Sequence, residues 1–344
     1  MGYQKRSSKA RKTIRTSIGK IYMQVKPLVT VIIPTYNRAD MVMHAIESVR
    51  NQQYSAIQLI VIDDGSTDGT RELLEHAPDL EYHYIPNGGQ AAARNLALQY
   101  ANGSLIATLD SDDRWNPDFL KLSVECLETN KLDFVFSNWT QINKVGQPFD
   151  FLTRDPFIKP YLKTGQAWNE WILLSNDQLR SLYLVSCPSP SSAILMRKSS
   201  IVDGWNNLLR IGEDWSLYLD MILKKDAIGG FTLTKLWSKL SHEGNIYDGR
   251  LRSEILEIVV KDDLEIMRTY QNYLRPDELL VLNKKYVSSL TELSKHLLVR
   301  EKNVKASWNL FKKSLKTNLP YTISQIPQLF LTAVRNRRFP KRYQ

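Results

Sequence analysis

Apolar residues first gather in short runs that end at polar clusters. Leu28 to Ile33 is such a run and stops at Pro34-Thr35-Tyr36-Asn37. Gln58 to Ile62 stops at Asp63-Asp64-Gly65-Ser66, and Ser104 to Leu109 stops at Asp110-Ser111-Asp112-Asp113. Runs this short, rich in Val and Ile, predict buried strands. Between them the period changes. Met41, Ala45, Ile46 and Val49 recur at helical spacing within a segment from Ala39 to Gln53. A second helix is predicted to open at Thr67 to Thr70, and a third to run from Gln90 to Asn102 after the turn Asn87-Gly88-Gly89. Glu81 to Ile85 reads as a short strand. Asn116-Pro117 reads as a helix start, with Asn as cap and Pro at the first position.

Strands alternating with helices imply an α/β fold with a mostly parallel sheet. Ligands of such sheets bind beyond the carboxyl ends of the strands. Thr35, Tyr36, Asp63, Asp64, Asp110 and Asp112 stand at three such ends. Further on, Glu213 to Lys225 reads as a helix entered by Arg210-Ile211-Gly212, and Phe231 to Leu240 as a strand. Leu251 to Phe311 is helical in pattern. The expected organisation is a basic leader over residues 1–26, an α/β domain over 27–248 whose first half runs to about 113, and a helical region over 249–344.

Charge sharpens this picture. The 344 residues carry a net charge of +10, but the placement is uneven. Of 46 basic side chains, seven lie in residues 1–20 and nine in 304–344, where no acid occurs; the body between holds 30 against 36 acidic residues. A mildly acidic body with basic ends argues against a nucleic-acid binder and for an anionic membrane surface. Trp308, Phe311, Leu319, Ile323, Leu329 and Phe330 interleave with Lys312, Lys313, Lys316, Arg335 and Arg337, a pattern that suits a helix lying in a membrane interface, interrupted by Pro320 and Pro327. No apolar run reaches 18 residues, and the N-terminus shows no secretory signal pattern. Two cysteines, Cys126 and Cys187, suit a reducing compartment. The expected location is the cytoplasm, at the inner face of the plasma membrane.

Three carboxylates within Asp110 to Asp113 repel one another unless a positive charge sits among them, and a hard divalent cation does this well. The competing reading is a solvated helix-capping turn. The wider order of motifs decides between them. VTVIIPTYNR over 29–38, VIDDGSTDGT over 61–70, NGGQAAARN over 87–95, Asp110-Ser111-Asp112 and Gly212-Glu213-Asp214-Trp215 occur in succession. This series resembles family 2 of the inverting glycosyltransferases, which have the GT-A fold: a Rossmann-like, mixed, mostly parallel sheet with flanking helices. The resemblance covers about residues 28–245.

The resemblance implies roles for particular residues. Pro34, Thr35, Tyr36 and Arg38 would border the nucleotide, and Asp64 would accept the uracil N–H. Gly89 would let the chain approach the ligand, and Arg94 would reach the nucleotide or neighbouring carboxylates. Asp110 would meet the ribose or the metal. Asp112 would bind the Mn²⁺ or Mg²⁺ that bridges the two phosphates, with His242 completing the metal or diphosphate site. Asp214 would be the general base toward the acceptor hydroxyl, with Glu213 orienting it and Trp215 as a wall. Ser191 or Ser192, in PSPSS over 188–192, would line the pocket, Ser192 being taken as the contact. Asp63 and Asp68 read as turn residues. The partners implied are a nucleotide-sugar donor, most simply a UDP-sugar, and a glycan or lipid-linked acceptor of cell-surface polysaccharide synthesis. A nucleotidyltransferase is disfavoured because no glycine- and arginine-rich phosphate loop follows the first strand. A non-catalytic membrane-binding protein would not need the ordered carboxylates.

Overall fold

The computed structural model describes residues 26–142, 148–240 and 250–327. Residues 1–25 of the leader, His242 and the tail beyond residue 327 lie outside the described residues.

The chain opens with β1 (Val29–Thr35), α1 (Val42–Arg50), β2 (Ile57–Asp63), α2 (Thr70–Leu74), β3 (Glu81–Tyr84), α3 (Gln90–Tyr100) and β4 (Leu105–Thr108). Every residue of β1 and β4 is buried. Central parallel strands are covered on both faces, which is why they read as continuous apolar runs rather than alternating ones. α1 buries Val42, Ala45, Ile46 and Val49, the predicted stripe. α3 turns Ala91, Ala93 and Ala97 inward, small residues that let it lie close to the sheet.

The second half contributes β5 (Asp113–Trp115), α4 (Phe119–Thr129), β6 (Phe134–Ile142), β7 (Pro148–Asp150), α5 (Tyr161–Thr164), β8 (Gln166–Trp168), β9 (Trp171–Leu174), α6 (Asn176–Tyr183), β10 (Ile194–Arg197), α7 (Glu213–Lys224) and β11 (Gly229–Leu240). Among the described residues one mixed sheet runs β3-β2-β1-β4-β10-β6-β11-β9-β8. β1, β2, β3 and β4 are parallel, with Thr35 beside Asp63 and Ile32 beside Thr108. Their carboxyl ends therefore share one edge. β10 runs antiparallel between β4 and β6 and closes the nucleotide half onto the rest.

The expected helix start at Asn116 is corrected. Asp113–Trp115 pairs with β11 instead, and the Asn116 side chain donates to the Lys235 carbonyl at 2.7 Å. The Asn116 N–H is likewise held by the Leu236 carbonyl. The helix begins three residues later, at Phe119. Pairing with a strand more than a hundred residues away outweighs a local capping preference.

α7 is buried almost all round, as expected for a helix inside a core rather than on it. Its cover is the C-terminal region: α8 (Arg252–Tyr270), α9 (Pro276–Val299) and α10 (Val304–Thr317). Ile266, Tyr270 and Leu282 join the main core, while Leu256, Val260, Tyr286, Leu290, Leu293 and Leu297 form a second cluster between the helices. The Tyr270 hydroxyl bonds Asp220 of α7 at 2.9 Å. A further helical stretch covers 319–327, with Pro320 in its first turn, where the missing N–H costs nothing.

Candidate active site

One cleft of about 1220 Å³ opens at the carboxyl edge of the parallel strands. It is lined by twelve of the residues singled out from sequence: Pro34, Thr35, Tyr36, Arg38, Asp64, Gly89, Arg94, Asp110, Asp112, Glu213, Asp214 and Trp215.

The nucleotide side is built from two tied loops. Asn37 sits at φ 51° and donates its N–H to Ser66, while its side chain accepts from Thr67. Asp63 accepts the Ser66 N–H at 2.8 Å and the Tyr82 hydroxyl at 2.9 Å, a structural role. Asp68 serves the turn in the same manner, accepting from Thr70 and Ala39. Asp64 holds the next loop. Its two oxygens accept the N–H groups of Gly88 and Gly89 at 2.7 and 2.8 Å. Gly65 requires its missing side chain, for a Cβ there would lie 2.9 Å from the Asn87 nitrogen, and its φ of +86° suits glycine. Tyr36, 47% exposed, offers an aromatic face above this floor.

The acidic side is organised by Arg94, which is 1% exposed. Its guanidinium lies 2.7 Å from Asp110, 3.4 Å from Glu213 and 3.6 Å from Asp214. One buried cation thus joins α3, the loop after β4 and the first turn of α7. A single positive charge does not neutralise three carboxylates. The Glu213 carboxyl is pushed up to about 7, first by burial and next by Asp214, with Arg94 opposing. Above its ordinary value of 4.5 the unfolded chain has released this proton while the native state keeps it. Folding stability should therefore fall as pH rises from 4.5 to about 7 through this group. Glu213→Gln is expected to remove that part of the slope in urea unfolding measured across the interval; parallel slopes for the two proteins would refute it.

Asp214 is held from two other directions. The Trp205 indole N–H donates to Oδ1 at 2.9 Å, and the Ser191 hydroxyl lies 2.7 Å from both oxygens. Its side chain stays 19% exposed toward the cleft. Of Ser191 and Ser192, it is Ser191 that lines the cleft. Ser192 is fully buried: its hydroxyl donates to Asp113 at 2.6 Å and accepts the Asp110 N–H at 3.0 Å. Consecutive residues of a short 3₁₀ turn point in different directions, so Ser192 pins the acidic loop from behind. Trp215 is also more buried than a free wall, bonding the Tyr183 carbonyl at 2.6 Å, while Lys285 lies 4.7 Å over its ring.

Asp110, Asp112 and Asp113 bring carboxylate oxygens within 4.8 Å of one another. Asp112 faces Arg38 at 4.0 Å. One Asp113 oxygen is buried without a partner, and its carboxyl is held well above the usual range by burial and then by its two acidic neighbours, with Lys239 opposing. An all-oxygen, charge-crowded set fits a hard divalent cation.

Three further residues act here that pattern reading missed. Asp262 of α8 accepts the N–H groups of Arg210, Ile211 and Gly212, at 3.2, 2.8 and 2.9 Å. It ties the C-terminal helices to the loop that presents Glu213 and Asp214. Trp205 and Arg210 complete the set. No local spacing signals Asp262 or Trp205, because both act across tertiary contacts.

The Glycosyl transferase family 2 model matches residues 30–201, half of the chain. The chain belongs to this family. A putative teichuronic acid biosynthesis glycosyltransferase of Bacillus subtilis, TuaG, is 37% identical over 136 residues, 38% of this chain and 54% of that protein. The chain thus spans about half the length of that relative. The crystal structure of Staphylococcus aureus TarS 1-349 in complex with UDP-GlcNAc aligns over 92% of this chain and 93% of that one, with a TM-score of 0.60 at 18% identity. A mannosyltransferase from Pyrobaculum calidifontis in complex with GDP-Man and Mn²⁺ aligns over 92% and 89%, with a TM-score of 0.51 at 18% identity. The chain shares the GT-A-like α/β fold with these two neighbours.

Proposed function

We propose that this family 2 chain is a metal-dependent, inverting glycosyltransferase that moves a sugar from a UDP-sugar to a hydroxyl of a glycan or lipid-linked acceptor. One observation carries the reading: Arg94 joins the Asp110–Asp112 loop to Asp214 across a single cleft. An inverting transfer needs its leaving-group site and its base on opposite sides of one sugar, and these two elements flank the same space.

Donor binding falls to the nucleotide side. Tyr36 presents a ring face to the base, and Asp64 keeps lone pairs for the uracil N–H beyond those used by Gly88 and Gly89. TarS has been solved with UDP-GlcNAc, which supports a uridine donor. Asp112 and Asp110 would hold Mn²⁺ or Mg²⁺, which when bound supplies Lewis-acid stabilisation of the leaving diphosphate. Asp214 takes the proton of the acceptor hydroxyl as its oxygen attacks the anomeric carbon and the bond to the diphosphate breaks. Ser191 and Trp205 fix that carboxylate in place. The TuaG name supports an acidic cell-surface polysaccharide as the pathway served.

A screen of UDP-sugars for acceptor-dependent UDP release tests this reading. Activity is expected to vanish in excess EDTA and return with Mn²⁺. Full activity under chelation would remove the metal role of Asp112.

Membrane association belongs to the same reading. No helix among the described residues is long and apolar enough to cross a bilayer. Trp308, Leu319, Ile323 and Ile326 nevertheless stand exposed beside Lys312, Lys313 and Lys316. Each Lys near an anionic leaflet contributes about 1 kcal/mol, so these few suffice for reversible attachment. The chain is expected to sediment with phosphatidylglycerol vesicles at low salt and to release at high salt. Equal sedimentation with neutral phosphatidylcholine vesicles would refute an electrostatic contribution.

A further inference from the structure

Beside the main cleft lies a smaller recess of about 500 Å³, lined by Leu208, Arg210, Arg250, Ile258, Lys261 and Asp262. Arg210, Arg250, Ile258 and Asp262 also line the main cleft, so the two spaces adjoin. Asp214 lies four residues from Arg210, at the start of α7.

The recess gathers three cations around one carboxylate. The ion pairs of the cleft use other cations: Arg38 with Asp112, Arg94 with Asp110, Lys239 with Asp113 and Lys285 with Asp263. Among the described residues Arg210, Arg250 and Lys261 pair with no carboxylate. The Asp262 oxygens are engaged by three backbone N–H groups. Those bonds have a second effect. They fix the backbone of Arg210 against the residue next to Lys261, so the two cations are brought together by the fold. A solvated helix face would let its charges diverge. Here they border a concavity with apolar Ile258 and with Leu208, which is 72% exposed. Convergent cations beside an apolar contact form a site that attracts an anion attached to a less polar group.

We propose that this recess is an anion subsite for the acceptor, taking a carboxylate or phosphate that the acceptor carries near the hydroxyl served by Asp214. The inference rests on the reading of Asp214 as the base of a glycosyl transfer. Two sources share this chemistry: the carboxylate of an acidic sugar within a glycan, and the phosphate that joins a sugar to a lipid.

The test uses the full chain saturated with UDP and Mn²⁺, so that the donor side is occupied. Calorimetric titration compares three probes: a uronate-containing trisaccharide, an N-acetylglucosamine diphosphate with a short alkyl chain, and a neutral alkyl N-acetylglucosaminide. At least one anionic probe is expected to bind about tenfold more tightly than the neutral one, and the stronger anion identifies the source. The double variant Arg250→Gln, Lys261→Gln is expected to lose that preference while its affinity for the neutral probe and its melting temperature stay unchanged. Arg210 is left intact because its guanidinium also reaches the Gly89 turn, 3.7 Å from where a Cβ would stand. Equal binding of all three probes by the wild type, or an anion preference that survives the double substitution, would overturn the proposal. Failure of the wild type to bind UDP would instead strike the donor reading. The probe comparison is then made without UDP and keeps the same two outcomes.

Discussion

Asp214→Asn is expected to lower kcat by about 10²–10⁴-fold, the usual contribution of a positioned general base. The substitution keeps the size of the side chain and an oxygen to accept the Trp205 indole N–H. It removes the capacity to take a proton. UDP affinity should be unchanged, because the nucleotide loops are held by Asp63, Asp64 and Asp68 and not by α7. A second signature follows from Glu213. Asp214 is the main charge raising that carboxyl, so removing it should bring Glu213 back toward 4.5 and flatten the pH dependence of stability. Steady-state kinetics and UDP calorimetry on the same preparation check the first claim. Turnover within threefold of wild type, in a folded protein, would exclude Asp214 as the base.

Arg94→Met should be the most damaging change to stability in the cleft. Methionine matches much of the aliphatic stem but leaves Asp110, Glu213 and Asp214 facing one another. Removing one partner of a buried ionic cluster typically costs about 3–5 kcal/mol, because the remaining charges stay desolvated. The loss should be smaller at acid pH, where Glu213 is protonated. Arg94→Lys should recover only part of it, since one ammonium cannot span the fork that the guanidinium makes from Nη2 to Asp110 at 2.7 Å and from Nη1 to Glu213 at 3.4 Å. Urea unfolding at neutral pH measures both. A cost below 1 kcal/mol for Arg94→Met would show that the cluster is solvated and that Arg94 organises nothing.

These two residues differ in how far the sequence alone exposes them. Asp214 follows Glu213 at the start of a readable helix within a motif, so its place at the cleft was legible, and the resemblance implied its role as base. Arg94 was legible as a residue near carboxylates, yet its partners were not. Asp110 lies 16 residues away and Glu213 lies 119 away, and only packing brings α3 and α7 to one point. The serine pair shows the same boundary at finer scale. PSPSS marks a stretch near the site, but which hydroxyl faces the cleft depends on backbone rotation within three residues.

The strands, the helices between them and the convergence of three polar strand ends, two of them bearing carboxylates, were determined by the sequence itself. Continuous apolar runs can be buried only as central strands, and parallel strands put their carboxyl ends on one edge. The metal-site candidates Asp110 and Asp112 and the turn residues Asp63 and Asp68 follow from that local order. Tertiary structure decided the rest. It turned the expected cap at Asn116 into an edge pairing with β11, because backbone hydrogen bonds to a strand replace a single capping bond. It placed Asp262 against the entrance of α7, and gathered Arg210, Arg250 and Lys261 around one recess. The bonds of Asp262 and Asn116 join residues 50 or more positions apart. Their energy comes from burial and hydrogen bonding between elements, which no local spacing records.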